Sequence, residues 1–187
     1  MVPPLDAATG LLPLGRHHVT LDAVRARYVD DPEFAASTTR QEIWDDFEDA
    51  TTVFRRIVPT AYVWIAGSFV TNKLDPDDLD LIYWCEDRLV DAVSHPGDKL
   101  TLQMFATNRV RPTTGYRLDT RYGRWHVDPA AGYGSTPEHQ QYAYVRGYWD
   151  DFWHRRRSGA KADPPVREDA LPRAGYLEVM LDGVNVI

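Results

Sequence analysis

Apolar residues recur at helical spacing from Ile43 through Phe47, Ala50 and Phe54 to Ile57. Asp45, Asp46, Glu48 and Asp49 fill the opposite side, so the pattern predicts a helix with one buried face. Thr38 with Gln41, or Thr39 with Glu42, supplies a capping-box start, and Pro59 stops the helix. A shorter helix is expected after Thr20, with Leu21, Val24 and Tyr28 on one side. Two apolar runs predict strands over 61–66 and 79–85. Between them, residues 68–73 are expected to form a helical turn capped by Ser68, and Asp75-Pro76-Asp77 a tight connection. Residues 86–93 read as a short helix that ends near His95-Pro96-Gly97. The weak alternation over 100–110 fits strand or helix, and 111–115 reads as a loop.

Residues 116–122 read as a strand with one polar face, and 123–134 as loop. Ser135-Thr136-Pro137-Glu138 then opens a helix carrying Tyr142, Val145, Trp149 and Phe152 on one side. Residues 158–172 form a further loop, and 175–181 a closing strand. The Pro-rich stretch 1–19 reads as irregular. Interleaved helices and strands predict an α/β or α+β domain, with a small mixed or antiparallel sheet flanked by helices.

At 187 residues the chain is long enough for one domain. A hydrophobic content of 43% supplies a core without any 18-residue apolar run, so no membrane span is expected. The start lacks a basic region followed by an apolar stretch, which argues against a signal peptide. The single cysteine, Cys85, ends an apolar run and reads as a core thiol in a reducing compartment, so a cytoplasmic location is expected. The net charge of −7 argues against a general nucleic-acid binder. The charge is uneven, however. Residues 1–100 hold nine basic and eighteen acidic side chains, whereas 101–187 hold twelve and ten. Basic residues gather at Arg109, Arg111, Arg117, Arg121 and Arg124, and again at His154-Arg155-Arg156-Arg157 with Lys161. Such clusters attract a polyanion locally even on an acidic body.

The chemistry concentrates between Gly67 and Leu81. Asp78 and Asp80 lie two apart at the start of a strand, so they share a face, beside the Gly67-Ser68 turn. Paired carboxylates next to a turn that can cradle phosphate suit magnesium, which takes hard oxygen ligands and leaves positions for water and phosphates. Walker-type, dinucleotide-binding and zinc spacings are absent from the sequence.

Gly-Ser, a spacer and Asp-x-Asp, with Ser68 and Asp78 ten positions apart, resembles the signature of the DNA polymerase β nucleotidyltransferase superfamily. The resemblance is nearest to its small single-domain members. It extends to Leu12–His17, to Tyr148-Trp149 with Phe152, and to Gly175–Val179, although only Gly67–Leu81 is specific. It implies a polymerase β-like fold and transfer of NMP from an NTP to a hydroxyl, with Mg2+ or Mn2+ as cofactor. Under it, Asp78 and Asp80 hold metal, while Gly67, Ser68 and Lys73 meet the triphosphate.

The superfamily also needs a third carboxylate, which binds a second metal ion and can accept the proton of the attacking hydroxyl; Asp119 is the candidate, with Asp128 as the alternative. Arg117 and Arg121 flank Asp119 on its face and either meet phosphate or pair with it. Arg155 and Arg156 either contact the acceptor or offset a helix dipole. Small members often occur in toxin–antitoxin modules. The basic clusters favour a tRNA acceptor and a toxin role. The alternatives are an antitoxin that adds AMP to a partner protein, an enzyme acting on a small molecule such as an antibiotic, and a non-catalytic binding domain.

Overall fold

A computed structural model describes residues 1–126, 136–159 and 162–181. Five strands form one mixed sheet in the order β1-β5-β2-β3-β4. They are β1 (Arg16–Val19), β2 (Thr60–Ala66), β3 (Leu79–Glu86), β4 (Leu118–Trp125) and β5 (Tyr176–Met180). The central strands β5, β2 and β3 run antiparallel in turn, while the edge strands β1 and β4 run parallel to their neighbours β5 and β3. The helices are α1 (Leu21–Tyr28), α2 (Arg40–Ile57), α3 (Asp87–Asp91), α4 (Pro96–Ala106), α5 (Val110–Thr114) and α6 (Pro137–His154). The architecture is thus of the mixed α/β type, with helices on both faces of the sheet.

Alternation along the strands builds two apolar layers. Val63, Ile65, Leu79, Leu81, Tyr83, Leu177 and Val179 face one way and join Val24, Ile43, Trp44, Phe47 and Phe54 of α1 and α2 and Leu102 and Phe105 of α4. Phe54 stacks on Tyr83 with ring centroids 4.6 Å apart, and Thr51 shares a 2.8 Å hydrogen bond with the Tyr83 hydroxyl. Burying each of these large side chains stabilises the fold by about 1.5–3 kcal/mol. The opposite face carries Trp64, Ala66, Ile82, Trp84 and Tyr176, against which α6 lays Tyr142, Val145, Trp149 and Trp153. Cys85 lies in the first layer, where burial pushes its thiol up to about 12, so it is an inert core residue.

Several local readings change. The segment 1–19 is not wholly irregular, because Arg16–Val19 pairs in register with Tyr176–Val179 as an edge strand. Pro96 opens α4 rather than closing the helix before it, since proline is well placed in a first turn. That settles 100–110 as mostly helical. The expected loop at 111–115 contains most of the short helix α5, which Gly115 ends in the left-handed region at φ 86°. The last basic run also shifts. α6 stops at His154, so only that residue is in the last turn, and Arg156 and Arg157 lie beyond the helix. The α2 start makes no capping box. Instead the Ser37 hydroxyl accepts from the Thr39 and Arg40 amides, and Thr39 donates to the Pro76 carbonyl. Asp128 and Lys161 lie outside the described residues.

Candidate active site

The segment between β2 and β3 is held by two arginines. Arg40, 1% exposed, donates to the carbonyls of Tyr28, Phe69, Thr71, Lys73 and Leu74 at 2.6–3.2 Å. Its guanidinium also lies 3.8 Å from the Phe34 ring centroid. Burial lowers its pKa to about 10, which leaves it charged at neutral pH. Arg117 closes the other end, donating to the Pro76 and Asp77 carbonyls and pairing with Glu42. Arg117 is therefore committed to the loop rather than to the cleft beside Asp80. Asp75 accepts from Ser37 and Thr38, which pins the middle of the loop to the start of α2.

Gly67 makes the turn that ends β2, at φ 80°. A side chain there would meet Asp80 directly, since an added Cβ would stand 1.7 Å from Asp80 Oδ2. Both the backbone and the neighbour therefore require glycine. Gly67→Ala is expected to lower the thermal midpoint and to displace Asp80, at a cost of about 1–3 kcal/mol from strain alone, measured by calorimetry. Ser68 opens a three-residue 3-10 turn over Ser68–Val70, shorter than the expected 68–73, and Gly67 rather than Ser68 holds the capping position. Lys73 is exposed near Asp77, and its amide donates to the Thr71 hydroxyl.

Register decides the acidic cluster. β3 and β4 pair in parallel with Asp80 directly opposite Asp119, so both carboxylates project from the α6 face of neighbouring strands. Asp78 precedes β3 by one residue. Burial is the largest influence on Asp80, and the charges of Asp78 and Asp119 add to it, raising its pKa to about 7. Asp78 is also raised, chiefly by burial and then by Asp77, although Arg111 works against this. The flanking acids are engaged. Arg111 donates to Asp78 at 3.1 Å, and Arg121 donates to Asp119 at 3.0 Å. Among the described residues no three His, Cys, Asp or Glu side chains are gathered as a ready-made metal cage. Asp78 and Asp80 still fit a magnesium-type ion, which is commonly held through one or two carboxylates with phosphates completing the shell. Asp80's raised proton affinity marks a place where positive charge would be favourable.

A cleft of about 430 Å³ opens at this end of the sheet, lined by Gly67, Asp80, Phe152, Trp153, Arg155 and Arg156 among others. Arg155 pairs with Asp151 one turn back along α6. Arg156 makes no ion pair among the described residues. Burial lowers its guanidinium from the ordinary value, while the charge of Asp80 works the other way. The cleft thus brings together Gly67, Asp80, Arg155 and Arg156, whereas Ser68, Lys73, Asp78, Arg117, Asp119 and Arg121 are not among the residues that line it. Sequence reasoning passed over Arg40 and Arg111 as site-forming residues. Arg40 had a legible signal, since it stands three residues before Ile43 on the buried stripe of α2. Arg111 stood out only as a member of a basic cluster, because its carboxylate partners are 33 and 34 positions away.

Among the described residues no helix is long and apolar enough to cross a membrane. Neither a curated protein nor a solved structure matches the chain. One family profile matches residues 3–179, that of DUF6932, described as a family of unknown function. The match covers nearly the whole chain, and the protein therefore belongs to the DUF6932 family.

Proposed function

We infer that the protein is a metal-dependent nucleotidyltransferase, moving NMP from an NTP to a hydroxyl acceptor with release of pyrophosphate. The observation that carries this reading is the in-register pairing of Asp80 with Asp119, beside Asp78 and the Gly67 turn. Asp78 and Asp80 would hold a Mg2+ or Mn2+ ion. The chemistry such an ion would supply there is neutralisation of phosphate charge. Asp119 would accept the proton of the acceptor hydroxyl, with Arg121 beside it orienting its carboxylate. The Ser68 hydroxyl and nearby amides would meet the β- and γ-phosphates. Arg156, which makes no ion pair among the described residues, would add a cation beside Asp80, and Phe152 and Trp153 offer aromatic faces to a nucleobase.

The acceptor in this reading is a tRNA end, which makes the protein the toxin of a toxin–antitoxin pair. Arg155 and Arg156 in the lining of the cleft support it. Incubation with each labelled NTP, Mg2+ and total tRNA or cell lysate tests both levels. Label on RNA ends is the expected result, and it should vanish with EDTA. Label on a polypeptide would replace the tRNA reading by protein adenylylation, and label on a small molecule by that class. No label in any fraction, from any NTP, would reject the enzyme.

A further inference from the structure

The chain carries its own cations at the two carboxylates beside Asp80. Arg111 donates from Nη1 to Asp78 Oδ2 at 3.1 Å and to Asp77 Oδ2 at 2.9 Å, and from Nη2 to Asp77 Oδ1 at 3.3 Å. Arg121 donates from Nη1 to Asp119 Oδ1 at 3.0 Å and to the Thr120 carbonyl at 2.7 Å. Asp80 makes no ion pair among the described residues, and its nearest basic influences are Arg156 and Arg121. Asp78 and Asp119 thus each meet an arginine, and among the described residues no ready-made cage is gathered around Asp80.

We propose that Arg111 and Arg121 are placeholder cations, holding Asp78 and Asp119 until a divalent ion arrives, and that Arg111 then turns to the polyphosphate that comes with it. The proposal rests on the nucleotidyltransferase reading. Three features carry it. First, Arg111 is tethered as well as paired. Two of its three hydrogen bonds go to Asp77, so it can release Asp78 and stay in place. Second, its side chain is 42% exposed and Asp77 is 65% exposed, so the guanidinium already faces solvent from which a phosphate would approach. Third, a guanidinium presents a planar fork of donors that fits phosphate oxygens as well as it fits a carboxylate. The exchange also makes ion and nucleotide binding mutually supportive. The ion frees the arginine, and the phosphate gives the freed arginine a partner.

The test is a titration of Mn2+, followed by the resonance of free Mn2+, on nucleotide-free wild type, Arg111→Gln and Arg121→Gln. Removing an exposed competitor should tighten Mn2+ binding by about two- to fivefold in each variant. The α,β-methylene analogues of the four NTPs are then bound in the presence of Mn2+. Arg111→Gln should lose about tenfold in affinity for the analogue that wild type prefers, as for one charged hydrogen-bond partner. Arg111→Lys should recover part of that loss. Thermal melts check that each variant is folded. An arginine with a structural role alone would weaken both kinds of binding, so unchanged or weaker Mn2+ binding by Arg111→Gln overturns the proposal. Tighter Mn2+ binding with unchanged analogue binding overturns its second half. Where wild type binds Mn2+ and an analogue but Arg111→Gln behaves identically, the placeholder idea fails and the enzyme reading stands. Where neither wild type nor any variant binds Mn2+ without nucleotide, the placeholder idea fails, and the enzyme reading fails with it only if no analogue binds in the presence of Mn2+ either.

Discussion

Asp80→Asn should reduce nucleotidyl transfer by roughly a thousandfold or more, the scale on which losing one charge-stabilising group acts, and yet make the protein more stable at pH 8. The two effects share a cause. Asp80 is raised to about 7 by burial and by the neighbouring charges of Asp78 and Asp119, against an ordinary value of 3.8. The folded protein therefore binds this proton more tightly than the unfolded chain does. Its stabilising contribution is fully present below about pH 4 and is lost as the pH rises through about 7. Above that range the fold carries a buried, like-charged carboxylate. Asparagine keeps the shape and removes the charge, so the variant's advantage should grow from pH 4 to 8 and reach the order of a few kcal/mol. Melts at pH 5 and pH 8 in EDTA measure it. Added Mg2+ should narrow the gap at pH 8 by stabilising only the wild type. A variant that transfers nucleotide normally would end the enzyme reading, and one less stable than wild type at pH 8 would contradict the account of Asp80.

Arg40→Met is expected to cost about 3–5 kcal/mol of stability, the largest effect foreseen outside the cleft. The side chain is 1% exposed and serves five backbone carbonyls, four of them in the loop between β2 and β3. Methionine fills much of the volume but donates nothing, leaving those carbonyls buried without a partner. Arg40→Lys should recover only a minor part, because one ammonium lacks the spread of donors that the planar fork provides. Urea unfolding gives the number. A midpoint equal to that of wild type would show that the carbonyls find other donors. Where the variant still folds at low temperature, its transfer activity should fall as well, since the same loop sets Asp78 beside Asp80.

Local pattern alone determined most of the elements. The apolar stripe of α2, the runs of β2 and β3, the Thr-Pro start of α6 and the closing strand are short-range facts, because a helix or strand face is written in residues a few positions apart. The two-residue spacing of Asp78 and Asp80 was legible for the same reason, although Asp78 lies one residue before β3. Tertiary structure decided what those elements meet. Arg16–Val19 became a strand only because β5 offered it an edge. Asp119 came to lie opposite Asp80 through the parallel register of β3 and β4, which no local spacing encodes. The arginines were the least legible of all. One guanidinium type serves five carbonyls at Arg40, clamps a loop at Arg117, pairs with acids at Arg111 and Arg121, and stands without an ion pair among the described residues at Arg156. A long side chain with several donors takes its role from whatever the fold brings within reach, and apart from the Arg121–Asp119 pair most of those partners are tens of residues away along the chain.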